Sequence, residues 1–156
     1  MSEFRFEKQR VHADLMLATG ATVGGSFFVS GATPLHVGPE RVGDLLNAQT
    51  GFFPFELSDG TTALYNRKHV VIVALAPGVS EAQLEPGYEV STRRMVAMLL
   101  SSGMRVAGEV AVYCPAGRDR LSDYARSEET FRYVVTPERT FIVNAEHIAE
   151  LVETAD

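Results

Sequence analysis

Cysteine is almost missing from this chain: Cys114 is the only one in 156 residues. No disulfide can form within the molecule and no thiolate cluster can hold a metal, and a reducing compartment suits such a composition. Histidine is also sparse. His12, His36, His69 and His147 show no i,i+4 pairing and no carboxylate company, so no metal site is predicted. No apolar run approaches the length of a membrane span, and Met1 to Arg10 alternates polar and aromatic residues instead of carrying the apolar stretch of a signal peptide. The expectation is a cytoplasmic protein with no membrane partner. Positive charge is in the minority, with 14 Lys and Arg against 20 Asp and Glu for a net charge of −6. Only the short pairs Arg67-Lys68 and Arg93-Arg94 stand out as basic, so nucleic acid is a disfavoured partner.

What the chain does have is the same pattern twice. Leu17, Gly20, Val23, Gly25 and Val29 meet Leu100, Gly103, Val106, Gly108 and Val112 at one constant offset. After a loop that is shorter in the second copy, Arg41 and Asp44 meet Arg120 and Asp123. Beyond one further deletion, Phe53, Thr62, Asn66 and His69 meet Phe131, Thr140, Asn144 and His147. Order is kept and the gaps fall among turn residues, which reads as a duplication. The repeats span residues 1–75, including an N-terminal extension, and 93–156, with a linker rich in Pro, Gly and Glu over 76–92. Hydrophobic residues at 46% and charged residues at 22% are those of a folding globular chain. A repeat of roughly 60 residues is marginal alone, so the halves are expected to share a core.

Within a repeat, Leu15 to Leu17, the Thr19-Gly20 turn and Thr22 to Val29 predict a hairpin, as do Met95 to Leu100, Ser102-Gly103 and Met104 to Tyr113. Gly25 and Gly108 lie inside second strands, where glycine marks a bulge or bend. A short helix is expected after Pro39, with Val42, Leu45 and Leu46 on its apolar face, and another over Asp119 to Ala125 with Leu121 and Tyr124 buried. A second hairpin follows in each copy, Phe53 to Leu57 with Ala63 to Tyr65, and Phe131 to Val135 with Phe141 to Val143. Each copy then ends on an asparagine, two variable residues, a histidine and an apolar run, Val70 to Val73 or Ile148 to Val152. The fold class is mainly β with short helices.

This order resembles the Sm-like group of small SH3-type barrels, and more closely bacterial Sm-like proteins with a short Arg-x-x-Asp helix between the hairpins. The residues that carry the resemblance are Gly20 and Gly25, the Arg41 to Asn47 segment and Asn66 to Val71, with their second-copy partners. It implies two small barrels in tandem. In Sm-like proteins the fourth strand of one barrel pairs with the fifth of the next, which would place Ala63 to Tyr65 and Met95 to Val96, or Phe141 to Val143 and Val70 to Val73, near the edges between barrels. It also implies self-association through edge strands, with a ring as one closed form. The uridine-gripping motifs of true Sm proteins are not present: Asn66-Arg67 and Asn144-Ala145 stand where an Arg-Gly pair would. RNA binding is not implied.

The candidate site residues are the polar positions that recur: Arg41, Asp44, Asn66 and His69, with Arg120, Asp123, Asn144 and His147. Each has a structural reading that outweighs a functional one. The Arg/Asp pairs are spaced to interact on one helical face, the asparagines suit turns through side-chain to backbone hydrogen bonds or positive φ, and no nucleophile or carboxylate recurs with the histidines. Cys114 aligns with Gly31 and sits before Pro115-Ala116-Gly117, which fits a loop. The expectation is therefore a non-catalytic interaction or assembly module without cofactor. A small-ligand or nucleotide-binding regulator, with a ligand in the cleft between repeats or against the loop from Gly31 to Gly38, is the alternative.

Overall fold

The computed structural model describes residues 8–33, 38–113, 124–125 and 129–154. Five strands and a helix come first: β1 (Lys8–Leu17), β2 (Thr22–Ser30), α1 (Val42–Asn47), β3 (Phe52–Leu57), β4 (Thr62–Asn66) and β5 (Val70–Leu75). Five more strands follow a connector: β6 (Thr92–Leu100), β7 (Arg105–Val112), β8 (Phe131–Val135), β9 (Thr140–Asn144) and β10 (Ile148–Glu153). All pairings are antiparallel and make one sheet in the order β10-β6-β7-β8-β9-β5-β1-β2-β3-β4. The first half thus runs 5-1-2-3-4 and the second 10-6-7-8-9, the same order by position. The sheet is open, with β10 and β4 at its ends, where the sequence had predicted small barrels. The physical reason is that the outer edge of β5 is taken by β9, in the register Ile72↔Val143, Val73↔Ile142 and Ala74↔Phe141. Of the two expected edge contacts this is the one between Phe141 to Val143 and Val70 to Val73; β4, with Ala63 to Tyr65, does not pair with β6.

The seam explains how the halves share a core. β5 reads Val-Val-Ile-Val-Ala-Leu and every residue of it is buried, the pattern of a strand covered on both faces. Val70, Val73 and Leu75 pack with Leu15, Phe27, Phe53 and Phe55, while Val71 and Ile72 pack with Val96, Met98, Val110 and Val134. The ring of Phe27 stacks on Phe53 at 5.4 Å between centroids and meets Phe55 edge-on at 5.1 Å. Phe28, on the opposite face of β2, is half-buried beneath the guanidinium of Arg10, 5.6 Å from its ring. The outer face of that strand is therefore covered by a side chain of β1.

Gly20 and Gly103 have φ of 93° and 91°, as tight hairpin turns require. Of the bulge or bend that the sequence indicated at Gly25 and Gly108, the bulge is not found: the ladder passes through both without a register shift. A Cβ on Gly25 would meet the Glu56 carbonyl and the Phe55 ring, and one on Gly108 would lie 2.7 Å from the Val135 carbonyl. Each marks the close crossing of a second strand over the third. The helix predicted over Asp119 to Ala125 falls mostly outside the described residues; of it, Tyr124 and Ala125 are helical and Tyr124 is buried. His36, Cys114, Arg120 and Asp123 also lie outside them. The linker folds into two short 3-10 turns, Ala82–Leu84 and Tyr88–Val90, and Gly78 and Gly87 take positive φ at the Pro-Gly turns.

Candidate functional site

Arg41 and Asp44 sit at the start of α1, both buried. Asp44 accepts from the Arg41 backbone N–H at 2.9 Å and its carboxylate lies 2.6 Å from the Arg41 guanidinium, closing the first turn of the helix on itself. The connector completes this corner. Glu85 pairs with the same guanidinium. The Glu81 carboxylate accepts from the Val42 N–H at 3.0 Å and from the Tyr133 hydroxyl of β8 at 2.8 Å. Helix, connector and second half are tied together there. Burial alone would lower the Arg41 pKa, but hydrogen bonds to Asp44 and Glu85 hold it above its usual range. Burial pushes the Glu81 carboxyl up against the opposing pull of those donors, and burial with the Glu81 charge pushes the Tyr133 hydroxyl up. The arrangement is a fastening in which one guanidinium meets the carboxylates of Asp44 and Glu85.

The repeated asparagines behave differently. Asn66 and Asn144 each cap a 3-10 turn, Arg67–His69 and Ala145–His147, by accepting from the N–H two residues on, Lys68 and Glu146, at 3.0 Å in both cases. Their φ values are −84° and −77°, so the hydrogen bond and not positive φ is their role. Asn144 is 1% exposed and also donates to the carbonyls of Val70 at 2.9 Å and Arg67 at 3.3 Å, bracing the seam. His147 lies 2.9 Å from the Lys68 carbonyl through Nε2 and 2.6 Å from the Ser101 hydroxyl through Nδ1. A carbonyl only accepts, so Nε2 carries the proton, and in the neutral ring Nδ1 accepts from the serine. His69 stands exposed, and Ala18 occupies the position that matches Ser101.

These turns form two walls of a cleft of about 530 Å3 between the halves, inside the roughly 300–1,000 Å3 of ordinary ligand sites. One wall presents Asn47, Asn66, Arg67 and Lys68, the other Glu129, Phe131, Asn144 and Glu146. Asn47 locks the walls together, donating to the Phe131 carbonyl at 2.8 Å and accepting its N–H at 2.9 Å. Arg67 is 5% exposed; it donates to the carbonyls of Leu45, Leu46 and Phe52 and lies 5.5 Å from the centre of the Phe53 ring. It thereby satisfies the carbonyls at the end of α1, and burial lowers its pKa. Burial and the nearby Glu85 charge push the Glu129 carboxyl up.

Of the eight recurring residues, the cleft gathers Asn66 and Asn144; Arg41 and Asp44 belong to the fastening, and the histidines flank the turns. Arg67, Asn47, Glu81 and Tyr133 were not legible as site residues. Arg67 has Ala145 opposite it and Glu81 lies in the linker, so recurrence selected neither; an arginine directly after a recurring turn asparagine was the available signal. Among the described residues no group of three or more His, Cys, Asp or Glu is placed to hold a metal ion. No helix among them is long and apolar enough to cross a membrane. No protein-family model, curated protein or solved structure matches the chain.

Proposed function

We propose that the chain is a non-catalytic assembly module, two Sm-like units in tandem that self-associate through their free edge strands. The observation that carries this reading is the pairing of β5 with β9 inside the chain. By position β9 is the fourth strand of its half and β5 the fifth of its own, and the sheet ends on the other fourth and fifth strands, β4 and β10. Repeating the internal joint between molecules would pair those ends head to tail, which grows a filament or closes a ring according to the rotation. Both ends carry uncovered apolar groups, Leu64 at 66% exposure and Val152 at 47%. Size-exclusion chromatography with light scattering tests it. The expected mass exceeds the 17.0 kDa of one chain and Leu64→Lys returns it to monomer; a strictly monomeric wild-type species at high micromolar concentration overturns the reading.

A second reading, a small-ligand binding protein, is favoured by one observation, the cleft between the halves. Calorimetric titration with cyclic dinucleotides tests its nucleotide form, and a flat trace removes that form.

A further inference from the structure

The two asparagine-capped turns that face the cleft are alike in backbone and opposite in charge. Two residues after the asparagine stands Lys68 in one turn and Glu146 in the other, each with its N–H bound by the asparagine side chain at 3.0 Å. Both line the cleft. Neither charged group has a partner among the described residues, and no ion pair within 4.0 Å joins them. The cleft thus carries one cation and one anion on different turns. Beneath the cationic wall lies Arg67, buried and bonded only to carbonyls, so no carboxylate of the described residues neutralises it.

We propose that this cleft binds a small zwitterion of the amino-acid or short-peptide kind. Its carboxylate would sit on the Arg67 and Lys68 wall and its ammonium on the Glu146 wall, with Asn47 and the capped turns holding the walls at fixed spacing. A ligand with only anionic groups meets Glu146 as a like charge, and a polyamine meets Arg67 and Lys68 in the same way. A zwitterion satisfies both walls at once, and the two contacts reinforce each other because the walls are preorganised by the seam. The cleft lies within one chain, so this binding does not depend on chains associating.

The test uses the intact protein and three forms of one probe in isothermal titration calorimetry: triglycine, N-acetyl-triglycine without the ammonium, and triglycine amide without the carboxylate. Triglycine is expected to bind and each blocked form to lose about tenfold or more in affinity, equivalent to about 1.4 kcal/mol. Lys68→Glu and Glu146→Lys should each weaken triglycine by a similar factor, while Lys68→Arg, which keeps the charge, retains binding. Circular dichroism on the variants separates lost binding from lost fold. The absence of heat with triglycine at high protein concentration overturns the proposal, and so does equal binding of all three probes. Loss of binding in Lys68→Arg as large as in Lys68→Glu, with the fold intact, overturns it as well.

Discussion

At the scale of single residues, position in the seam decides what an identical side chain is worth. Asn66 and Asn144 cap the same turn with the same bond, yet only Asn144 is buried and holds two carbonyls across the junction. Removing a buried partner leaves those carbonyls desolvated, at about 1–3 kcal/mol. Asn144→Ala should therefore cost about 2–3 kcal/mol in urea unfolding, and Asn66→Ala about 1 kcal/mol or less. Equal losses would show that the seam does not rely on the extra bonds. Glu129 gives a second residue-level prediction. Its folded pKa is raised by burial and by Glu85, so its favourable contribution is complete below the unfolded carboxyl pKa and is lost as pH rises through the folded one. Gln stays neutral throughout. The melting temperature of Glu129→Gln should match that of the wild type near pH 4 and exceed it by a growing margin toward pH 8; a margin independent of pH would refute the assignment.

At the scale of elements, strands were more legible than what they do to one another. Alternating β-branched residues marked all ten strands' neighbourhoods, and Pro-Gly and Ser-Gly turns marked their boundaries, because period-2 patterning and turn chemistry are local. β1 runs from Lys8, seven residues before its apolar signal at Leu15, since its outer stretch is polar and half-exposed. The crossing glycines were legible as special positions, but not as close approaches, because the Glu56 and Val135 carbonyls they admit come from distant strands. Gly25→Ala and Gly108→Ala should accordingly destabilise by about 1–3 kcal/mol through forced separation of β2 from β3 and of β7 from β8. Guanidinium denaturation with backbone hydrogen exchange at the neighbouring amides checks this. Glu81 and Tyr133, the fastening between connector and β8, left no local trace at all. Their partnership is set by the tertiary path alone.

At the scale of the whole molecule, the seam makes two like halves into one cooperative body. β5 is buried on both faces, with Val73 in the aromatic cluster of the first half and Ile72 among Val96, Met98 and Val134 of the second. Its counterpart β10 reads Ile-Ala-Glu-Leu-Val-Glu and lies at an end of the sheet, so the same strand position has an apolar sequence where it is enclosed and a mixed one where it is not. The repeats are thus distinguished by what covers them more than by their backbone order. A single transition should follow, with calorimetric and van't Hoff enthalpies equal, because neither cluster can open without exposing β5. Ile72→Ala, which removes a side chain from the second cluster while standing on a strand of the first half, should cost about 2–5 kcal/mol. It should lower the one melting transition as a whole, read equally by the side-chain NMR signals of Phe53 in the first half and Tyr133 in the second. Two separated transitions in the variant, with the Phe53 signal unmoved, would mean that the halves fold as independent domains and that β5 belongs to the first alone.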